Sequence, residues 1–133
     1  MSNLRLFSII TWIALPTVMY GGYALLGLLT RGALTPFQQT FFRAGHAHAG
    51  VLLLLSLLYH TYLEQTALRP MIKVGAAVML LVGILAQSGG FFLHMMIGQP
   101  GAPSVGSTVT SLGAVLLAMA IAILVYGLIT TPG

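Results

Sequence analysis

Two histidines two residues apart, His46 and His48, stand in the run Arg43-Ala44-Gly45-His46-Ala47-His48-Ala49-Gly50, in a chain that is 58% hydrophobic and 5% charged. A polypeptide that places nearly every side chain in lipid and still keeps imidazoles at membrane depth assigns them, by default, a ligand or proton role. A third histidine, His94, lies shortly before Pro100, in the run Gly89-Gly90-Phe91-Phe92-Leu93-His94. Gly83, Gln87, Gly90 and His94 recur at spacings of four, three and four, which puts small and polar residues on one helical stripe turned toward protein. His60 falls fourteen residues beyond His46, roughly 21 Å along a helix, so it belongs to a different place. With Glu64 one turn on, His60 reads as half of a surface or interfacial pair.

The elements that must position these groups follow from composition. The chain has 133 residues and a single acid, with a mean hydropathy of +1.01, too little polar surface for a soluble domain. About 20 apolar residues cross a bilayer, and four such stretches can be read, at residues 6–29, 41–63, 71–97 and 105–129. Short connections make consecutive helices neighbours, so the expectation is one all-α domain, an integral membrane four-helix antiparallel bundle running up-down-up-down. The first stretch reads as a spanning helix and not a secretory signal, being longer than a signal core and followed by no clear small-x-small site. Absence of cysteine excludes disulfides and thiolate metal sites. Five scattered basic residues give a net charge of +4 without a patch, which argues against a nucleic-acid partner. Arg5, Arg69 and Lys73 against Arg31 and Arg43 favour cytoplasmic N- and C-termini, in a bacterial inner (cytoplasmic) membrane.

This topology brings the start of the second helix, the end of the third and the start of the fourth to one membrane face. His46 and His48 then fall in the first two turns of the second helix and share a level with His94. Residues two apart on a helix point about 200° from each other, so His46 and His48 do not grip one ion together. Gly45, Ala47, Ala49 and Gly50, with Gly89 and Gly90 opposite, clear the flat backbone surface that a large planar cofactor requires. Tight helix–helix packing uses the same residues, and that reading stays open. Phe91 and Phe92 supply aromatic wall. Ser104, Ser107, Thr108, Thr110 and Ser111 on the fourth helix, and Tyr20 and Tyr23 on the first, add hydroxyls to a mostly apolar pocket. With imidazoles as the available ligands the candidates are haem iron, copper and zinc, and haem, needing one or two axial histidines, fits this sparse set best.

The runs Arg43-Ala44, Ala47-His48-Ala49-Gly50 and Gly90-Phe91-Phe92 resemble segments of styrene oxide isomerase and its hydroxylaminobenzene-mutase-like relatives, which are small four-helix membrane proteins. The resemblance covers the helix pattern throughout, and specific residues around His48 and Gly90. It implies haem b held between subunits of a trimer, His48 on the iron, and ferric iron acting as Lewis acid on an epoxide oxygen. Two departures stand out: the isomerase's asparagine two turns after the ligand meets Leu54, and its tyrosine after Gly-Phe meets Phe92.

Three function classes follow. A haem-dependent isomerase of a small hydrophobic substrate would use His48 as metal ligand, with His46, Gly45, Gly50, Gly90 and Phe92 around the cofactor and His94 and Gln87 as catalytic groups. A b-type cytochrome, or haem-bearing subunit of a larger redox complex, would be ligated by His48 and His94 together. A cofactor-free structural subunit would use its histidines to satisfy helix ends. Glycine-rich faces, Gly21, Gly22 and Gly27 among them, point to a homo-oligomer.

Overall fold

A computed structural model describes residues 3–132. Its elements are four α-helices, α1 (Asn3–Thr30), α2 (Pro36–Gln65), α3 (Pro70–Ile97) and α4 (Val105–Thr130). All four are long and apolar enough to cross a membrane, and the protein is an integral membrane protein with an all-helical, four-helix bundle fold. Each helix packs on the next in sequence, and α3 and α4 form the most intimate pair. Among the described residues α1 leans on α2 and, lightly, on α3, without touching α4.

Two helices begin earlier or more sharply than hydropathy alone shows. Thr35 caps α2 through a capping box, its hydroxyl accepting from the Gln38 amide while the Gln38 side chain accepts from the Thr35 amide, and Pro36 occupies the first turn. Ser104 and Ser107 form the corresponding box on α4. The cap moves the start of α2 from the expected residue 41 to Pro36. A helix of 30 residues is about 45 Å long against a hydrocarbon core of about 30 Å. The surplus exceeds the hydrocarbon core, and the polar first turns with Gln38, Gln39, Thr40 and Arg43 are of the composition that suits a headgroup zone.

Small residues make the interior. Ala76, Ala77, Ala120, Leu63, Leu80, Ile84 and Leu117 are buried, while Trp12, Leu85, Met96 and Ile129 point outward, as expected where the outer solvent is lipid. A side chain at Gly90 would run into Thr110 and the Gly106 carbonyl, and one at Gly83 would lie 3.0 Å from Leu117 and 3.2 Å from the Gly113 carbonyl. This glycine seam lets α3 and α4 approach backbone to backbone, the main source of association energy where no hydrophobic force acts between helices. At the far end Tyr59 donates a 2.7 Å hydrogen bond to the Ala120 carbonyl, tying α2 to α4. Nearby, the Thr11 and Ser56 hydroxyls meet at 3.0 Å, joining α1 to α2.

Candidate functional site

His48 lies twelve residues into α2, and its Nδ1 is 2.8 Å from the Ala44 carbonyl oxygen one turn back. A carbonyl only accepts, so Nδ1 carries the proton, and in the neutral ring Nε2 is left with its lone pair. Metal-binding imidazoles are commonly held in this way, the second nitrogen fixed by a carbonyl so that the first keeps one orientation. The ring packs on Phe91, with centroids 4.8 Å apart. Beside it is a cavity of about 200 Å³ lined by Ala47, His48, Val51 and Leu52. All four belong to α2, so the opposite wall must be lipid, a bound group or another copy of the chain.

His46 points elsewhere, as the 200° offset requires. Its ring lies over the Gly21-Gly22 pair of α1, where a Cβ at Gly22 would sit 3.0 Å from Nε2 and one at Gly21 3.6 Å from Nδ1. It fills the α1–α2 crevice, away from His48. Gly50 also faces α1, its added Cβ meeting Val18 at 3.7 Å.

His94 is placed differently from the expectation. Because α2 starts at Pro36, His48 lies about 18 Å from its N-terminus, whereas His94 is three residues from the end of α3. The His94 ring packs edge-on against Phe41 at 4.4 Å and Phe37 at 5.3 Å, not against His48. Phe41 precedes His48 by seven residues on the same face, about 10 Å of rise. Phe41 and Phe91, 6.4 Å apart, carry the contact from His94 to His48, so the two imidazoles occupy different levels and one chain does not offer both to a single iron. Nδ1 of His94 lies 2.7 Å from Oγ of Ser104, the cap of α4. Among the described residues no group of three or more potential metal-ligating side chains comes together.

The residues expected to clear a cofactor surface are mostly covered by neighbouring helices. A Cβ at Gly45 would lie 2.9 Å from the Phe92 ring, which itself meets Phe42 at 5.2 Å. Gly90 belongs to the α3–α4 seam. Gln87 borders that seam too, its carbonyl accepting from Thr110 Oγ1 at 3.3 Å. Of this set Gly89 faces open space, and Ala47 is exposed beside His48. The stripe Gly83, Gln87, Gly90 and His94 is thus the contact line with α4. Of the expected site, the structure brings His48 and Phe91 together, their ring centroids 4.8 Å apart. One axial imidazole with a free Nε2 fits haem. A two-histidine centre within one chain does not fit these positions.

His60 departs from its sequence reading. It is 1% exposed, packed near Phe7 and Tyr59, and neither ring nitrogen has a hydrogen-bond partner. Glu64 one turn on is exposed, and Lys73 donates instead to its main-chain carbonyl, at 2.9 Å. The signal for burial was the Leu53, Ser56, His60, Leu63 spacing, which follows one helical face.

In comparisons with known proteins, no family model, no curated protein and no solved structure matches this chain.

Proposed function

We propose that this protein is a haem b protein of the membrane, with His48 as the residue that would hold its iron, working as an isomerase on a small hydrophobic epoxide-type substrate. One observation carries the reading: the proton of His48 is fixed on Nδ1 by the Ala44 carbonyl, which leaves Nε2 free beside a cavity walled by α2 alone. Ferric haem held by His48 would supply Lewis acidity toward a substrate oxygen without net redox change. The chain's own part is to hold and shield. Ala44 orients the imidazole, Phe91 sets its tilt, and Val51 and Leu52 keep water from the metal side. Leu54 and Phe92, which stand where the isomerase has asparagine and tyrosine, offer no proton. His94 and Gln87 do not reach His48, so the iron-ligand role carries over further than the epoxide chemistry.

The single-helix wall supports a homo-oligomer, a trimer by the resemblance, in which a second copy closes the site. Placement in the bacterial inner membrane with cytoplasmic termini completes the proposal. The covered glycines favour a second reading, a cofactor-free structural subunit. An absorption spectrum of protein purified from haem-replete cells separates the two. A Soret band that survives in His46→Ala and disappears in a folded His48→Ala supports the first. Absence of the band from the wild type assigns the second.

A further inference from the structure

Between α2 and α4 an apolar furrow opens, with α3 as its floor. Leu80 and Ile84 form the floor, Leu55 and Tyr62 one wall, and Ile121 and Leu124 the other, around a recess of about 240 Å³. Tyr59 also lines it, but its hydroxyl is committed to the Ala120 carbonyl. An occupant therefore meets hydrocarbon along nearly its whole length.

Dimensions narrow the choice of occupant. From Leu52 to Tyr62 the furrow follows ten residues of α2, about 15 Å of rise, which is half of a hydrocarbon core about 30 Å thick. Tyr62 is three residues from the end of α2 at Gln65, so the furrow spans the leaflet on the side of the α2–α3 connection. A volume of about 240 Å³ divided by about 15 Å leaves a section of about 16 Å². That admits one unbranched chain, whereas a helix with its side chains is about 10 Å across.

Charge gathers at the lower end. A side chain at Gly127 would run into Thr66 and Leu68, and the Ala67 amide donates to Thr131 Oγ1 at 2.8 Å, so the α2–α3 connection closes the furrow against the end of α4. Arg69 follows directly, exposed and making no side-chain cap bond. Lys73 lies seven residues before Leu80, on the same face of α3. Its ammonium gives one of three donors to the Glu64 carbonyl, at 2.9 Å, and keeps two. With Arg5, this end holds three bases against the chain's single acid, Glu64.

From this arrangement we infer that the furrow seats one acyl chain of an anionic phospholipid, whose phosphate is held by Arg69 and Lys73. The chain fits the section and the leaflet depth, and the headgroup answers basic side chains at the membrane surface. The furrow shares Leu52 with the His48 cavity and stands independently of the haem reading.

The test uses the full chain in phosphatidylcholine nanodiscs containing a minor fraction of either phosphatidylglycerol or phosphatidylcholine brominated on its acyl chains. Trp12, the chain's one tryptophan, is exposed on α1 and reports ordinary contact with lipid. Leu58→Trp in a Trp12→Phe chain reports from the furrow, which Leu58 lines, at a similar depth because Thr11 meets Ser56. Leu55→Trp replaces it where that variant fails to fold. Brominated phosphatidylglycerol is expected to quench the furrow reporter saturably, at a concentration about fivefold or more below that needed with brominated phosphatidylcholine, while Trp12 does not distinguish the two. Arg69→Gln combined with Lys73→Gln is expected to erase the preference and leave quenching by brominated phosphatidylcholine unchanged. Equal quenching by the two lipids, the same preference at Trp12, or a preference that survives the double variant would overturn the inference. So would a furrow reporter that neither lipid quenches and that cross-linking places against a second copy of the chain.

Discussion

The phenyl ring of Phe92 on α3 closes over Gly45 on α2 so closely that a methyl group added at Gly45 would lie 2.9 Å from it. Both residues flank the histidine pair, and both could have served a planar cofactor. Their mutual contact instead sets the spacing of the two helices. Gly45→Ala is therefore expected to destabilise the bundle, by about 1–3 kcal/mol as overpacking does, measured by thermal unfolding in detergent. Loss of haem at unchanged stability would return Gly45 to the cofactor.

The α3–α4 seam makes a sharper prediction, because its neighbours differ. Gly90→Leu forces a side chain into Thr110 and Gly106, whereas Gly89→Leu extends into open space. The first should separate the helices and lower the unfolding temperature markedly. The second should change it little, and similar losses in both would mean that the seam is not where the structure has it.

At the opposite end, His60→Leu should be neutral or stabilising, on the order of 1 kcal/mol. An imidazole with neither nitrogen paired contributes desolvation cost without a compensating bond. Glu64→Gln should show no coupling to it in a double-mutant cycle. A coupling of 1 kcal/mol or more would revive the surface pair.

Tyr59→Phe removes one buried hydrogen bond, to the Ala120 carbonyl, and leaves the ring in place. The expected loss is about 1 kcal/mol, in line with interhelical bonds in membranes. Unfolding of the variant in mixed micelles measures it, and an unchanged midpoint would show that the hydroxyl finds another partner.

Should the protein carry haem, its ferric electron paramagnetic resonance is expected to be high-spin, with one imidazole on the iron, and to be unaffected by His94→Ala. A low-spin bis-imidazole signal that becomes high-spin in His94→Ala would require ligands brought from two subunits, since Phe41 and Phe91 keep the two rings apart within one.

Fold class was legible because lipid leaves little choice: four long apolar runs joined by short links can satisfy their backbones only as helices, and helices so joined pack antiparallel. Residues Thr35-Pro36-Phe37-Gln38 also carried a readable start for α2, which the drop in hydropathy over Gln38, Gln39 and Thr40 hid. That five-residue difference moved His46 and His48 a turn and a half deeper and took them off the level of His94.

Residue type and spacing also determined that His46 and His48 diverge, since the angle per residue is a property of any α-helix. What each faces was decided only by tertiary packing. Glycine has the same signature whether it clears room for a cofactor or for a neighbouring backbone, and only the relative placement of helices made Gly22 the floor under His46, Gly45 the seat of Phe92 and Gly90 the contact with α4. A histidine likewise reads the same whether paired at the surface or enclosed. The helix faces turned toward α1 and α4 are what buried His60 without a partner, fixed His94 to Ser104, and left Nε2 of His48 free.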